Sequence, residues 1–154
     1  MLLAAALKIG AILGGAPEKD AQLLYDFGIK MGLAFQLQDD YLDVYGDPAV
    51  FGKKIGGDIL CNKKTFMLIT ALSLAEGEDK ETLLNWLRAT DYVAEEKIQS
   101  VTALYNKVGV PELCQARIDA YYKEGLELLD KVNVESSLKE ELKKFVCHLM
   151  DRKL

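Results

Sequence analysis

The chain has 154 residues, of which 50% are hydrophobic and 28% are charged, so it is long enough for one domain with a substantial apolar core. Its 19 Lys and Arg residues against 24 Asp and Glu residues give a net charge of −5. That balance argues against a nucleic-acid-binding surface, because phosphate contacts need clustered cations. Three scattered cysteines, Cys61, Cys114 and Cys147, indicate reduced thiols in a cytoplasmic protein rather than a disulfide framework. The single histidine, His148, nearly excludes a His-rich zinc site or a Ser-His-Asp triad, so any chemistry must rely on carboxylates and lysines.

The hydrophobic pattern is helical from the first residue onward. A strongly apolar helix is predicted over residues 1–13, ending at Gly14 and Gly15. It carries Lys8 and is shorter than the roughly 20 residues of a membrane-spanning helix, so we expect a soluble protein. A helix that is apolar all round is typical of the interior of a larger bundle. We therefore expect this helix to be buried on every face and the chain to be the later part of a longer protein.

A second, much longer helix is predicted from Pro17 to about Gly46, where apolar side chains keep helical spacing over a length of about 40 Å. Residues 46–62 then break the pattern with four glycines and a proline, which predicts a long and functional loop. No strand alternation, internal repeat or linker is present, so the sequence predicts an all-α domain. The remaining predicted helices are amphipathic and cover residues 63–75, 80–90, 92–108, 111–132 and 137–153.

Three acids lie near the end of the long helix, within the five residues Asp39 to Asp43. Asp39 and Asp43 are separated by four positions, so their carboxylates lie on one helix face, and Gln36 projects beside Asp39. Clustered carboxylates repel one another unless a cation or a basic partner neutralises them. Mg²⁺ is bound through one or two such oxygen ligands, together with water and phosphate oxygens. The pattern therefore indicates a magnesium site that includes Asp40.

Taken alone, an Asp-Asp-x-x-Asp pattern is more often a solvated acidic face or a cluster of ion pairs. The loop that follows favours a functional site, because it contains Gly52–Lys54, Gly56–Asp58 and Lys63–Thr65. Glycines let the backbone approach an anion closely, and lysines supply point charges for phosphate. The N-terminus of a helix adds a partial positive charge. Acids for a metal followed by a cationic, glycine-rich loop predict a site for a metal and a diphosphate.

These motifs occur in a recognisable order. Gly32-x-x-Phe35-Gln36-x-x-Asp39-Asp40-x-x-Asp43 is followed by G-K-x-x-G-x-D and then by K-x-T. The combination resembles the trans-isoprenyl diphosphate synthases, the polyprenyl synthetases that include farnesyl and geranylgeranyl diphosphate synthases. The resemblance extends over the whole chain and is strongest over residues 28–72. It implies a helical bundle of the isoprenoid synthase type, of which this chain is the C-terminal part.

The resemblance also implies a reaction. Family members catalyse the Mg²⁺-dependent head-to-tail condensation of isopentenyl diphosphate with an allylic diphosphate of the geranyl or farnesyl class. Departure of the diphosphate leaves an allylic cation, which the isopentenyl double bond attacks before a proton is lost. By position, Asp39 is the direct metal ligand, and Asp40 and Asp43 are supporting acids. The family further implies a homodimer, or pairing with a missing N-terminal half.

Lysines and two helix residues complete the site that the resemblance implies. Lys53 and Lys63 match the lysines that reach the diphosphate, and they are counted with Asp39 as catalytic residues. Lys54 replaces Lys53 if the loop register shifts. Gln36 and Phe35 join both lysines in the substrate-binding set.

One family feature is missing from this sequence. The chain contains a single Asp-Asp pair, whereas the family uses a first aspartate-rich motif and further basic groups that its N-terminal half carries. Residues 1–154 are therefore expected to form the C-terminal part of a polyprenyl synthetase domain. The alternative is a non-catalytic helical subunit, or an inactive fragment, that partners a complete synthase. The intact acid and lysine set favours the first interpretation.

Overall fold

A computed structural model describes residues 2–47 and 55–150, and over these ranges the protein is all-helical without any strand, as predicted. None of the described helices is both long enough and apolar enough to cross a membrane. The helices are α1 (Leu2–Leu13), α2 (Glu18–Tyr45), α3 (Gly57–Leu60), α4 (Phe66–Leu74), α5 (Gly77–Arg88), α6 (Ala94–Lys107), α7 (Val110–Asp130) and α8 (Ser136–Met150).

Two predicted boundaries need correction. The interval 46–62 is not irregular throughout, because it contains the short helix α3. The helix predicted from residue 63 begins at Phe66, because Thr65 caps it: the Thr65 hydroxyl accepts a hydrogen bond of 3.2 Å from the backbone N–H of Leu68. Lys63 consequently lies in the loop before α4. The other predicted helices agree with the structure to within a few residues.

The described residues form two compact units. The first holds residues 2–36 and 117–150, and the second holds residues 37–47 and 55–116. In the first unit, Lys139 on α8 is only 8% exposed and donates a hydrogen bond of 2.8 Å to the carbonyl of Asp130, the last residue of α7. This contact satisfies a carbonyl that the end of α7 leaves without a helical partner. The buried core of the unit consists of Phe27, Met31, Leu129, Val132 and Val146.

Helix α1 is not buried on every face, contrary to the expectation from its composition. Ala4 is fully buried, but Leu2 is 87% exposed and Leu13 is 84% exposed. Ile9 and Ile12 are also more than half exposed. An apolar sequence makes a helix suitable for burial, but other elements must pack against it to bury it. In this unit the neighbouring elements cover only part of α1.

Gly28 on α2 allows α1 to approach closely. A Cβ atom at this position would lie 2.6 Å from the Cα of Ala4 and 3.0 Å from Leu7 Cδ1. At these distances the backbone of α1 or α2 would have to move to remove the overlap. We expect Gly28→Ala to lower the free energy of unfolding by about 1–3 kcal/mol through overpacking. Denaturant titration followed by circular dichroism measures the change. Gly32→Ala on the same helix is the matched control, since nothing lies within 4 Å of its Cβ position; equal losses in both variants would contradict this packing.

The second unit is built around α6, which packs against α3, α4 and α5. The α6 side chains Val101, Leu104 and Tyr105 are buried, as is Leu83 on α5. On α7, Cys114 is also fully buried. This packing holds the loop before α4 against the rest of the unit, and that loop carries Lys63.

The three thiols are expected to differ in reactivity. Burial, together with the negative charge of Asp40, raises the pKa of Cys114 to about 12, so it has almost no thiolate at pH 8. Cys61 and Cys147 are exposed. Ellman's reagent should therefore titrate two thiols in the native protein and the third only after unfolding in guanidinium chloride. Three rapidly reacting thiols would show that Cys114 is accessible, and changing both exposed cysteines to serine should remove the rapid phase.

Candidate active site

The three acids of the aspartate motif lie in the last two turns of α2. Asp39 and Asp43 are partly buried, and Asp40 is only 6% exposed. Burial raises the pKa of Asp43 above its ordinary value, and the negative charges of Asp58 and Asp39 raise it further. A hydrogen bond from the Asp58 backbone and the positive charge of Lys63 partly offset this effect. Burial and the repulsion between these carboxylates therefore favour a nearby cation.

Asp43 anchors the loop that follows α2. Its Oδ2 accepts a hydrogen bond of 2.8 Å from the Asp58 N–H, and its backbone carbonyl accepts one of 2.6 Å from the Gly56 N–H. Gly56 has a φ of 85°, and a Cβ there would lie 2.6 Å from Ile98 Cδ1. A Cβ on Gly57 would lie 3.3 Å from Asp43 Oδ1. The two glycines thus let the start of α3 lie against the acidic end of α2.

Lys63 joins the acids of α2 to α3. Its Nζ lies 2.8 Å from Asp40 Oδ1 and 2.7 Å from Asp58 Oδ2. These hydrogen bonds raise the pKa of Lys63 above its ordinary value, so the side chain stays charged well above neutral pH. The Lys63 side chain is 42% exposed, whereas that of Asp40 is 8% exposed. The ammonium is therefore fixed by the two carboxylates and still reaches solvent.

Asp58 is a site residue that the sequence analysis did not assign. Its carboxylate binds Lys63, and its N–H binds Asp43, so it connects the two predicted parts of the site. The signal in the sequence was its place in the glycine-containing motif, five residues before Lys63. Only the fold of α3 shows that the backbone and the side chain of this residue serve different partners.

A cation at Asp39 would take most of its ligands from water or a bound phosphate. Within residues 2–47 and 55–150, no group of three or more His, Cys, Asp or Glu side chains is arranged to hold a metal ion. Asp40 and Asp43 each have an oxygen engaged in a hydrogen bond. Hard carboxylate oxygens suit Mg²⁺, which takes one or two carboxylates and adds water and phosphate oxygens. A closed protein cage of the kind typical for Ca²⁺ does not fit.

The other predicted site residues are either outside the described residues or in the first unit. Lys53 and Lys54 are outside the described residues. Gln36 is exposed and Phe35 is partly buried, and both belong to the first unit, whereas Asp39 to Asp43 and Lys63 belong to the second. Phe35 lines an apolar cavity of about 230 Å³ within the first unit. The other lining residues are Leu3, Met31, Gly32, Val146, Leu149 and Met150.

Comparison with known proteins agrees with these observations. The model of the polyprenyl synthetase family matches residues 1–106. A short chain isoprenyl diphosphate synthase from Methanothermobacter thermautotrophicus is 37% identical over 140 residues, which is 89% of this chain and 42% of the relative. A crystal structure of geranylgeranyl pyrophosphate synthase superimposes with a TM-score of 0.88 at 35% identity, covering 99% of this chain and 48% of that one.

The crystal structure of a third similar protein contains ligands. It is a geranylgeranyl pyrophosphate synthase from Corynebacterium glutamicum complexed with isoprenyl diphosphate and magnesium. It superimposes with a TM-score of 0.82 at 30% identity, covering 94% of this chain and 41% of that one. The chain spans less than half the length of each of these three proteins. On the family match and the helical fold together, the chain belongs to the polyprenyl synthetase family.

Proposed function

We propose that this chain provides the second metal-binding motif and the diphosphate-binding lysines of a trans-prenyltransferase. The reaction is the Mg²⁺-dependent condensation of isopentenyl diphosphate with an allylic diphosphate of the geranyl or farnesyl class, giving a longer polyprenyl diphosphate. The observation that carries the proposal is the Lys63 ammonium, held between Asp40 and Asp58 beside the acidic end of α2. A fixed cation next to a cluster of carboxylates is suited to a metal-bound diphosphate.

The metal assignment follows the order of the acids in the motif. By its position in the family motif, Asp39 would bind Mg²⁺ directly, and Asp40 and Asp43, whose oxygens also hold Lys63 and the Asp58 N–H, would support it. When bound, Mg²⁺ would neutralise charge on the diphosphate as it departs.

The diphosphate assignment rests on preorganised positive charge. Lys63 is already oriented by two carboxylates, so little conformational entropy is lost when it also contacts a phosphate oxygen. Such fixed donors stabilise the charge that develops on a leaving group. Lys53 is assigned the same task from its motif position, with Lys54 as the alternative.

The apolar part of the substrate needs a different environment. The cavity beside Phe35, within the first unit, is lined by hydrophobic side chains among the described residues. We assign Phe35 to this apolar contact and Gln36 to the polar side of the allylic site. The similar proteins named for short chain and geranylgeranyl products support an allylic substrate of this size class.

The remaining catalytic groups belong to a part of the family that this chain does not match. We propose that the first aspartate-rich motif comes from an N-terminal half, and that the active assembly is a homodimer in the cytoplasm. One alternative is a non-catalytic helical subunit that partners a complete synthase, and the intact acid and lysine set of this chain counts against it. The two functions differ in whether the acids and Lys63 take part in turnover.

Condensation of radiolabelled isopentenyl diphosphate tests the proposal. The purified chain is incubated with Mg²⁺ and geranyl or farnesyl diphosphate, alone and together with the N-terminal segment of the Methanothermobacter relative. Product that requires Mg²⁺ and is lost in Asp39→Ala supports a catalytic chain. Product that is equal in wild type and Asp39→Ala supports the non-catalytic subunit. Absence of product in every mixture, together with absence of Mg²⁺-dependent pyrophosphate binding, contradicts the proposed function.

A further inference from the structure

A buried lysine lies behind the loop that carries Lys63. Lys97 on α6 is only 1% exposed. Its Nζ lies 2.8 Å from Asn62 Oδ1, 3.4 Å from the Leu60 carbonyl oxygen and 4.4 Å from the centroid of the Tyr92 ring. None of the ion pairs in the described part of the chain involves it. A buried ammonium costs free energy even when neutral groups compensate it, so its position needs an explanation.

Both hydrogen-bond partners of Lys97 belong to one short turn, at the end of α3. Asn62 has a φ of 54°, the left-handed region that non-glycine residues rarely adopt. Its side-chain amide is held at both ends, because Oδ1 accepts from Lys97 and Nδ2 donates to the Leu87 carbonyl at 3.1 Å. The Tyr92 hydroxyl also donates to the Leu60 carbonyl at 3.1 Å. The turn is thus tied to two neighbouring segments through side chains, with Lys97 contacting both of its ends.

This turn determines the position of the Lys63 backbone. Lys63 follows Asn62 directly, and its N–H donates a hydrogen bond of 2.9 Å to the carbonyl of Asp58. Lys63, Asn62 and Lys97 also line one small cavity, of about 10 Å³. A change in the backbone at Asn62 would therefore move the Lys63 side chain relative to Asp40 and Asp58.

We infer that Lys97 is a positioning residue: it fixes the turn from Leu60 to Asn62, and thereby the position of the Lys63 side chain that we assign to the diphosphate. The inference rests on the proposed function for the role of Lys63, but the positioning itself is a property of the free protein. Lys97 makes no contact with the carboxylates of the site, so its effect passes through Asn62 and the backbone. A purely structural lysine would instead contribute to stability without altering the geometry of Lys63.

Hydrogen exchange in the free protein tests the positioning directly. In Lys97→Met, which keeps the buried volume but removes the charge and its hydrogen bonds, we expect the Asp58 and Lys63 amides to exchange about tenfold faster, with the α7 amides unchanged. Asn62→Gly should have the same effect, since it keeps the positive φ available and removes the link to Lys97. Lys107→Met is the matched control on the same helix, because Lys107 is exposed and pairs with Asp79.

Binding of Mg²⁺ pyrophosphate, measured by calorimetry, tests the connection to Lys63. Lys97→Met should weaken binding about tenfold in the wild-type background and cause no further loss in a Lys63→Ala background. The inference is overturned if Lys97→Met leaves the exchange of the Asp58 and Lys63 amides unchanged. It is also overturned if Lys97→Met weakens pyrophosphate binding as strongly in the Lys63→Ala background as in the wild type. If the wild type does not bind pyrophosphate, the proposed function fails, and the exchange rates alone decide for or against the positioning role.

Discussion

Asp39→Ala is expected to remove Mg²⁺-dependent binding of pyrophosphate, with a loss of affinity of about a hundredfold or more, because it deletes the oxygen ligand that we assign to the metal. The fold should be unaffected. Alanine favours helix formation more than aspartate, and the substitution removes a like charge that raises the pKa of Asp43. Isothermal titration calorimetry with and without Mg²⁺ measures the affinity, and thermal unfolding measures the stability.

Asp26→Ala is the matched control for this variant. Asp26 lies on the same helix, α2, where its carboxylate accepts a hydrogen bond of 2.9 Å from Gln22, away from the acidic motif. It should bind pyrophosphate like the wild type. Equal affinity in Asp39→Ala and Asp26→Ala, each with Mg²⁺ present, would mean that Asp39 is not a metal ligand.

Lys63→Ala is expected to weaken pyrophosphate binding about tenfold to a hundredfold, because it removes a charge-assisted hydrogen bond to the ligand. It should also lower the free energy of unfolding by about 1–2 kcal/mol, since Asp40 is nearly buried and loses its cationic partner. The loss stays below that of a fully buried ion pair because the Lys63 side chain is 42% exposed. Calorimetry and denaturant titration give the two quantities separately.

The pH dependence of this stability difference has a definite sign. The pKa of Lys63 is raised from 10.5 in the folded protein, so its stabilising contribution is fully present below 10.5 and is lost only as the pH rises through the raised value. The difference between wild type and Lys63→Ala should therefore stay constant between about pH 7 and 9. Lys64→Ala is the control, because Lys64 is exposed and adjacent in sequence. A similar loss of binding in Lys64→Ala would show that net charge, rather than the fixed position of Lys63, accounts for the effect.

The positions of the helices were predictable from the sequence because they depend on local patterns. Apolar residues at helical spacing, Gly14 and Gly15 as a stop, and Pro17 as a start define α1 and α2 correctly. The start of α4 was misjudged because Thr65 resembles any other polar helix residue until its extended backbone and its hydrogen bond to Leu68 are seen. Short helices such as α3 carry too few residues for a periodic signal.

The candidate site was predictable only in part, for the same reason. Residues within one helix, such as Asp39 and Asp43, have a separation that the helical period fixes, so their common face follows from spacing alone. Asp58 and Lys97 were missed because each acts through contacts between segments that are distant in the sequence. Lys97 lies 35 residues from Asn62, and no local pattern distinguishes it from the exposed Lys107 on the same helix.

By itself, the sequence determined the fold class and the family, because each depends on residue types at short, fixed spacings. Only the tertiary structure decided which face of α1 is covered, which carboxylates hold Lys63, and why a lysine is buried beside the turn at Asn62. These features depend on burial and on hydrogen bonds between different segments, and their energies arise only when those segments meet. Local spacing therefore indicates candidate site residues, and packing between segments determines which of them contact one another.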